Sequence, residues 1–317
     1  MKLAMIFSGY GAQYVGMGKE IHDRSRPMQE MFDIASQCVD MNLTRLCFAS
    51  SDAELSTPVN AYLSIFLVQA AYIDLLKKAG ITPDIVAGYG IGEYAAIHAA
   101  NGWSFPDALY ALKKYAQFCE QVLQSADGMV IVVHGLSREN LDKTIASYKS
   151  FKTTCVAVYN SSTEHVVSGS SKEVFKLSQK LAKVKGVKVV TLNPAFGLHS
   201  HMMDSIVDQL SLYLTKVDFK DLQVPLVGNY HGQMVADAGS VRKTLLSQVF
   251  MPVLWENSIK TFADYEKILL VGKTTYLEDL LRATYPNKEL IVFDGLADIQ
   301  KLQEAFPESK IELDIQP

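Results

Sequence analysis

Cysteine is scarce: the 317 residues hold only Cys38, Cys47, Cys119 and Cys155, with no C-x-x-C pair among them. No Cys/His spacing has the form of a zinc site, so neither a disulfide framework nor a structural metal is expected. Basic charge is not in excess either, since 30 Lys and Arg stand against 34 Asp and Glu, a formal net charge of −4. A nucleic-acid partner calls for a clustered basic surplus and is not expected. That balance still allows a small anionic ligand held by one or two local cations. The apolar opening run, Met1 to Phe7, is too short for the core of a signal peptide. No other window reads as long enough to cross a bilayer. The expected setting is therefore cytoplasmic and reducing, with free thiols and no membrane partner. Internal repeats and low-complexity segments are also missing.

What is present is ordinary for a globular chain, with 49% hydrophobic and 20% charged residues. That is enough apolar material for one large domain or two unequal lobes without staples. Leu3 to Phe7 reads as a buried strand that stops in the turn Ser8-Gly9-Tyr10-Gly11. Helical spacing runs from Gln29 to Cys47 and again from Asn60 to Ala79, where Gly80 ends it. Ile85-Val86-Ala87 reads as a second strand, entering Gly88-Tyr89-Gly90-Ile91-Gly92 and then a helix from Glu93 to Asn101. Strand, glycine turn, helix is an α/β layout with a functional loop at the strand's carboxyl end.

The middle of the chain changes character. Strands are expected at Met129–Val133, Cys155–Tyr159, His165–Ser168 and Val187–Leu192, with helices at Glu139–Tyr148 and Lys172–Lys185. That order is βαββαβ, a ferredoxin-like arrangement. The predicted fold is α/β, with residues 1–126 and 197–317 forming a large α/β-hydrolase-like lobe around a mostly parallel sheet. Residues 127–196 form the inserted small lobe. Further strands of the large lobe are expected at 225–227, 267–271 and 290–293.

Two glycine turns are candidates for chemistry. Gly9-Tyr10-Gly11-Ala12-Gln13-Tyr14 is not a dinucleotide fingerprint, because Tyr14 takes the third glycine's place and no acidic residue follows at the right spacing. Gly88-Tyr89-Gly90-Ile91-Gly92 fits the nucleophile elbow G-x-S-x-G at every position but the serine. Taken alone it is a glycine-rich strand-to-helix turn.

Five motifs in order give a comparison. Phe7 to Gln13 resembles F-P-G-Q-G-x-Q, and Pro83 to Tyr94 resembles P-D-x-x-A-G-H-S-L-G-E-Y. Asn160-Ser161 with Val167-Ser168-Gly169 resembles N-S-P…V-I-S-G. Leu192-Asn193 through His199-Ser200-His201-Met202-Met203 resembles L-N…H-S-x-x-M. Gln248, Pro252, Val253 and Trp255 resemble Q-x-x-x-P-V-x-W. Over roughly residues 3–282 the chain thus resembles the malonyl-CoA:acyl-carrier-protein transacylase family.

The resemblance implies ping-pong acyl transfer, in which an elbow serine attacks malonyl-CoA and a histidine is its base. Backbone amides hold the oxyanion, and the phosphopantetheine thiol of acyl carrier protein then takes the acyl group. Malonyl-CoA and that phosphopantetheine are substrates, and no permanently bound cofactor is implied. Carried over by position, His199 matches the base and Gln248 the residue whose carbonyl orients it. Gly90 stands at the nucleophile and cannot act as one. Tyr10 and Ile91 take the oxyanion-loop positions. Lys114 falls at the arginine that pairs with the malonyl carboxylate, but as a point charge rather than a fork. Tyr89, Asn60 and Asn160 fall on substrate-facing positions. Each also has a plain alternative: His199 as a buried or surface histidine without catalytic duty, Gln248 as a polar helix residue near a turn, and Lys114 as helix surface. Ser8 and Tyr89 flank the apex but lack the elbow geometry.

Removing the nucleophile of a hydrolase triad costs on the order of 10⁶-fold in turnover, about 8 kcal/mol of barrier. The expectation is an S-malonyltransferase homologue of fatty-acid or polyketide biosynthesis, impaired by the missing serine. Two alternatives stand beside it. One is a non-catalytic partner that binds acyl carrier protein or a CoA thioester. The other is a slow thioester hydrolase in which His199 activates a water over Gly90. Lys172, Lys176, Lys180, Lys183 and Lys185 give the small lobe a basic face, which reads as solvated surface or as a docking face for an acidic carrier protein.

Overall fold

Alternation along the first strand builds both faces of the main sheet. In β1 (Leu3–Phe7), Leu3, Met5 and Phe7 pack into one apolar cluster while Ala4 and Ile6 pack into the other. The computed structural model describes residues 2–125, 127–192 and 199–314. The remaining strands are β2 (Ile85–Gly88), β3 (Gly128–His134), β4 (Cys155–Tyr159), β5 (Glu164–Ser170), β6 (Lys188–Leu192), β7 (Leu226–Val227), β8 (Met234–Val235), β9 (Lys267–Val271) and β10 (Glu289–Phe293).

The larger sheet has the order β10-β9-β1-β2-β7-β8 and is parallel except for the β7/β8 pair. Both faces are covered, which is why its inner strands read as unbroken apolar runs. β1 lies between β2 and β9, so the strand order reverses there, and the carboxyl ends of β1 and β2 emerge side by side. That edge is where open α/β sheets hold their ligands. The smaller sheet, β4-β5-β3-β6, is antiparallel throughout and has the ferredoxin-like βαββαβ order. Its helices Arg138–Ala146 and Ser171–Leu181 bury Leu141, Val174 and Leu177 against Ile131, Val133 and Val167. On its other side, Ala157 and Val158 share a core with Val227, Val253 and Trp255. Backbone hydrogen bonds from Tyr159 to Val253 (2.9 Å) and from Val253 to Ala157 (2.8 Å) join β4 to the larger unit.

Three expectations need correction. The helix expected over 29–47 is two helices, Arg26–Val39 and Leu43–Ala49, separated at Asp40 in left-handed conformation (φ 52°). Asn42 then caps the second by accepting the Arg45 N–H. The lysine-rich helix ends at Leu181, not Lys185. Finally, Pro58–Lys78 is a 21-residue helix long and apolar enough, by length and composition, to cross a membrane. Here it is a core helix, with Ala61, Tyr62, Leu63, Phe66 and Leu67 all buried, and its all-round apolarity follows from that burial.

Candidate active site

The two glycine turns pack backbone to backbone at the carboxyl edge of β1 and β2. The Tyr89 N–H donates to the Phe7 carbonyl (2.9 Å). A Cβ at Gly9 would lie 2.0 Å from the Tyr89 carbonyl oxygen, one at Gly88 2.0 Å from the Glu93 nitrogen, and one at Gly92 2.3 Å from the Phe7 oxygen. Those three glycines are there because nothing larger fits. Gly90 is different. It has φ +56°, and a Cβ built on it meets nothing within 4 Å among the described residues. The apex therefore keeps the left-handed geometry of an elbow and open space where a side chain would project.

Gly90 is the last residue but one before the helix Gly92–Ala99. Its carbonyl accepts the Glu93 N–H and the Asn229 side-chain amide, each at 3.1 Å. Asn229 in turn donates its backbone N–H to Glu93 Oε1 (3.0 Å). Glu93 and Asn229 are both buried, and burial pushes the Glu93 carboxyl up to about 8 despite the Asn229 hydrogen bonds. The Ile91 N–H, directly after the apex, has no acceptor among the described residues. It lies at the positive end of the helix and suits a developing oxyanion. Neither Asn229 nor Glu93 received a role from the sequence. The available signal was an acid in the first turn of an otherwise apolar helix.

His199 is buried and has a positive φ of 52°. Its Nδ1 donates to the Gln248 backbone carbonyl at the end of the helix Ala238–Ser247, which leaves Nε2 as the acceptor nitrogen. Burial lowers its pKa, with the carbonyl partly opposing, so the ring is neutral at neutral pH. The Gln248 segment continues through Val253 to Trp255, whose ring meets Tyr89 edge-on at 5.1 Å between centroids. His199 and the apex are thus framed by one stretch of chain. Asn193, which opens the histidine motif, lies outside the described residues.

Tyr89 does not point into open space. Its hydroxyl donates to Asn160 Oδ1 (2.9 Å), and the Asn160 amide donates to Glu164 (3.3 Å). Glu164 also accepts from the Tyr276 hydroxyl and pairs with His134 (2.9 Å). Tyr89 and Asn160 therefore form a polar chain between the two sheets. Tyr10 and Asn60 come together elsewhere, at the turn before the helix Pro58–Lys78. The Tyr10 hydroxyl donates to the Ser56 carbonyl (2.8 Å), and the Asn60 amide to the Glu54 carbonyl (2.8 Å). Lys114, on the helix Phe105–Ser125, reaches Gln117 (3.4 Å) and sits over the Tyr213 ring at 4.9 Å. The next residue, Tyr115, is the one that turns inward, stacking on Tyr94.

Neither hydroxyl next to the apex is a spare nucleophile. Ser8 is buried, donating to the Val271 carbonyl and accepting from Gln69. Tyr89 is committed to Asn160, and burial raises its pKa. What the described residues offer is open space at the Gly90 apex, a backbone amide beside it with no acceptor among them, and a neutral histidine fixed by a carbonyl.

Residues 4–264 match the family described as acyl transferase domain. The malonyl CoA-acyl carrier protein transacylase of Bacillus subtilis (strain 168) is 30% identical over 279 residues, 87% of this chain and 86% of its own length. The protein of the same description from Staphylococcus aureus (strain MRSA252) is 26% identical over 96% of this chain and 99% of its own. A crystal structure of the malonyl CoA-acyl carrier protein transacylase of Clostridium perfringens superposes with a TM-score of 0.91 at 25% identity, covering 97% of this chain and 98% of that one. The chain belongs to the malonyl-CoA:acyl-carrier-protein transacylase family of acyl transferases.

Proposed function

We propose that this chain binds malonyl-type thioesters of CoA and acyl carrier protein at the elbow but forms no acyl-enzyme, which makes it a pseudoenzyme of fatty-acid or polyketide biosynthesis. The observation that carries this reading is the contrast among the elbow glycines. The flanking positions exclude a Cβ, while among the described residues the apex has room for one and lacks it. An elbow of this shape can receive a thioester carbonyl at the Ile91 N–H without a nucleophile to attack it. His199, oriented by Gln248, takes the place of the base, but no serine is present to be deprotonated. Carrier protein is the partner expected from the likeness to malonyl CoA-acyl carrier protein transacylases. The same reading places the protein in the cytoplasm without a resident cofactor. It also assigns 127–196 to a small lobe and 1–126 with 197–317 to a large one.

The test is titration calorimetry with malonyl-CoA and with holo carrier protein, together with a malonyl-transfer assay on the chain and on Gly90→Ser. Expected are binding without transfer for the unaltered chain and transfer for the variant. Absence of binding to either ligand would overturn the reading. A second reading, slow hydrolysis, is favoured by one observation: the His199 Nδ1 bond to Gln248 leaves Nε2 able to take a proton from water. It predicts malonyl-CoA hydrolysis that disappears in His199→Ala.

A further inference from the structure

We propose that Asn229, held in place by the buried carboxyl of Glu93, is a positioning residue that fixes the apex peptide so that the Ile91 N–H donates to a bound thioester carbonyl. The inference rests on the thioester-binding reading above and says how the site holds its ligand.

The Gly90 carbonyl and the Ile91 N–H belong to one planar trans unit, so fixing the direction of one fixes the other in the opposite direction. A glycine apex needs such a restraint more than a serine would, because it has no Cβ to limit its backbone. The Gly90 oxygen is held from two sides. The Glu93 N–H contact is the helix's own first turn, whereas the Asn229 amide arrives from 139 residues away in sequence. Asn229 is itself tied at both ends of its backbone, through its N–H to Glu93 Oε1 (3.0 Å) and through its carbonyl to the Leu254 N–H (2.7 Å). The hydrogen bonds close a ring that runs from the helix start through Glu93 and Asn229 back to the apex.

This ring is costly. Among the described residues, Glu93 Oε2 and Asn229 Oδ1 are buried with no hydrogen-bond partner. Apolar side chains of similar size would avoid that desolvation, so filler alone does not account for the pair. What the pair gains is a fixed direction for one amide at a helix N-terminus, next to the open space at Gly90.

The test uses the Gly90→Ser background with p-nitrophenyl acetate, a small ester that needs no contact with CoA or carrier protein. Asn229→Asp keeps the size and the backbone N–H but loses the amide donor. It is expected to slow the acylation burst roughly ten- to a hundred-fold, leaving KM unchanged. Glu93→Leu is expected to do the same, and Glu93→Gln, which keeps the Oε1 acceptor, to retain most of the rate. A role in packing alone predicts the reverse order, with Glu93→Leu harmless and any loss following the melting temperature. A second readout needs no engineered serine. In the otherwise unaltered chain, malonyl-CoA should move the Ile91 amide resonance, and a CoA thioether lacking the carbonyl should not. Asn229→Asp should abolish that difference. An unchanged burst rate in Asn229→Asp, or an Ile91 shift that survives it, overturns the proposal. If malonyl-CoA shifts no resonance, the thioester-binding reading fails while the burst rate still decides the role of Asn229. Absence of both burst and shift overturns the two together.

Discussion

Replacing Gly90 by serine and Gly92 by alanine each adds a Cβ, at positions only two residues apart, and the structure assigns the two additions very different costs. At Gly90 the new atom meets nothing within 4 Å among the described residues, so the penalty is that of a side chain at φ +56°. That region is allowed for an L-residue at a cost of about 1 kcal/mol. For a chain of this size such a loss lowers the melting temperature by roughly 1–3 °C. At Gly92 the new atom would lie 2.3 Å from the Phe7 oxygen and 2.7 Å from the Ser8 oxygen, both backbone. Neither strand end can move without breaking the β1/β2 pairing, so the cost should exceed about 4 kcal/mol. Thermal and urea melts of the two variants side by side measure the difference. Incubating Gly90→Ser with malonyl-CoA, followed by intact mass analysis, then asks whether the added hydroxyl is acylated. If Gly90→Ser is destabilised as much as Gly92→Ala, the apex is not open, and the argument for a vacated nucleophile position fails.

Further outcomes follow from the buried groups around the elbow. The Glu93 carboxyl titrates at about 8 in the fold against an ordinary 4.5, so the folded state holds the extra proton between those values and stability falls as pH rises through them. Glu93→Gln should remove that slope and stabilise the chain more in alkaline than in acidic urea melts. His199 has the opposite sign: its pKa is lowered from 6.5, so the unfolded chain is protonated first and stability is lost as pH drops below that value. Melts of the parent and His199→Gln across that range should converge in acid. Tyr276→Phe removes one donor to Glu164 and should cost about 1 kcal/mol, with faster amide exchange at Tyr89.

Much of the fold is legible in the sequence because buried parallel strands announce themselves. Leu3–Phe7 is an unbroken apolar run, Lys267–Val271 is apolar after its first residue, and the observed limits of both are the expected ones. The βαββαβ order of the small sheet follows from strands of alternating burial and two amphipathic helices. The break at Asp40 is not legible, since no glycine or proline marks it and the apolar spacing runs through. Nor is β8, whose two residues are too few for any period. At the site, Gly90, His199 and Gln248 stand in motifs that can be read locally. Asn229, Glu164 and Tyr276 meet the elbow or its neighbours through hydrogen bonds between segments far apart in sequence, and such contacts leave no pattern along the chain.

The most direct test of the central claim is intact mass analysis of the unaltered chain after incubation with malonyl-CoA and holo carrier protein, run beside a binding measurement on the same samples. The account predicts measurable binding, an unchanged mass and no malonyl on the carrier protein beyond the uncatalysed background. A covalent malonyl adduct on the unaltered chain would contradict it, because it would reveal a nucleophile other than the residue at position 90.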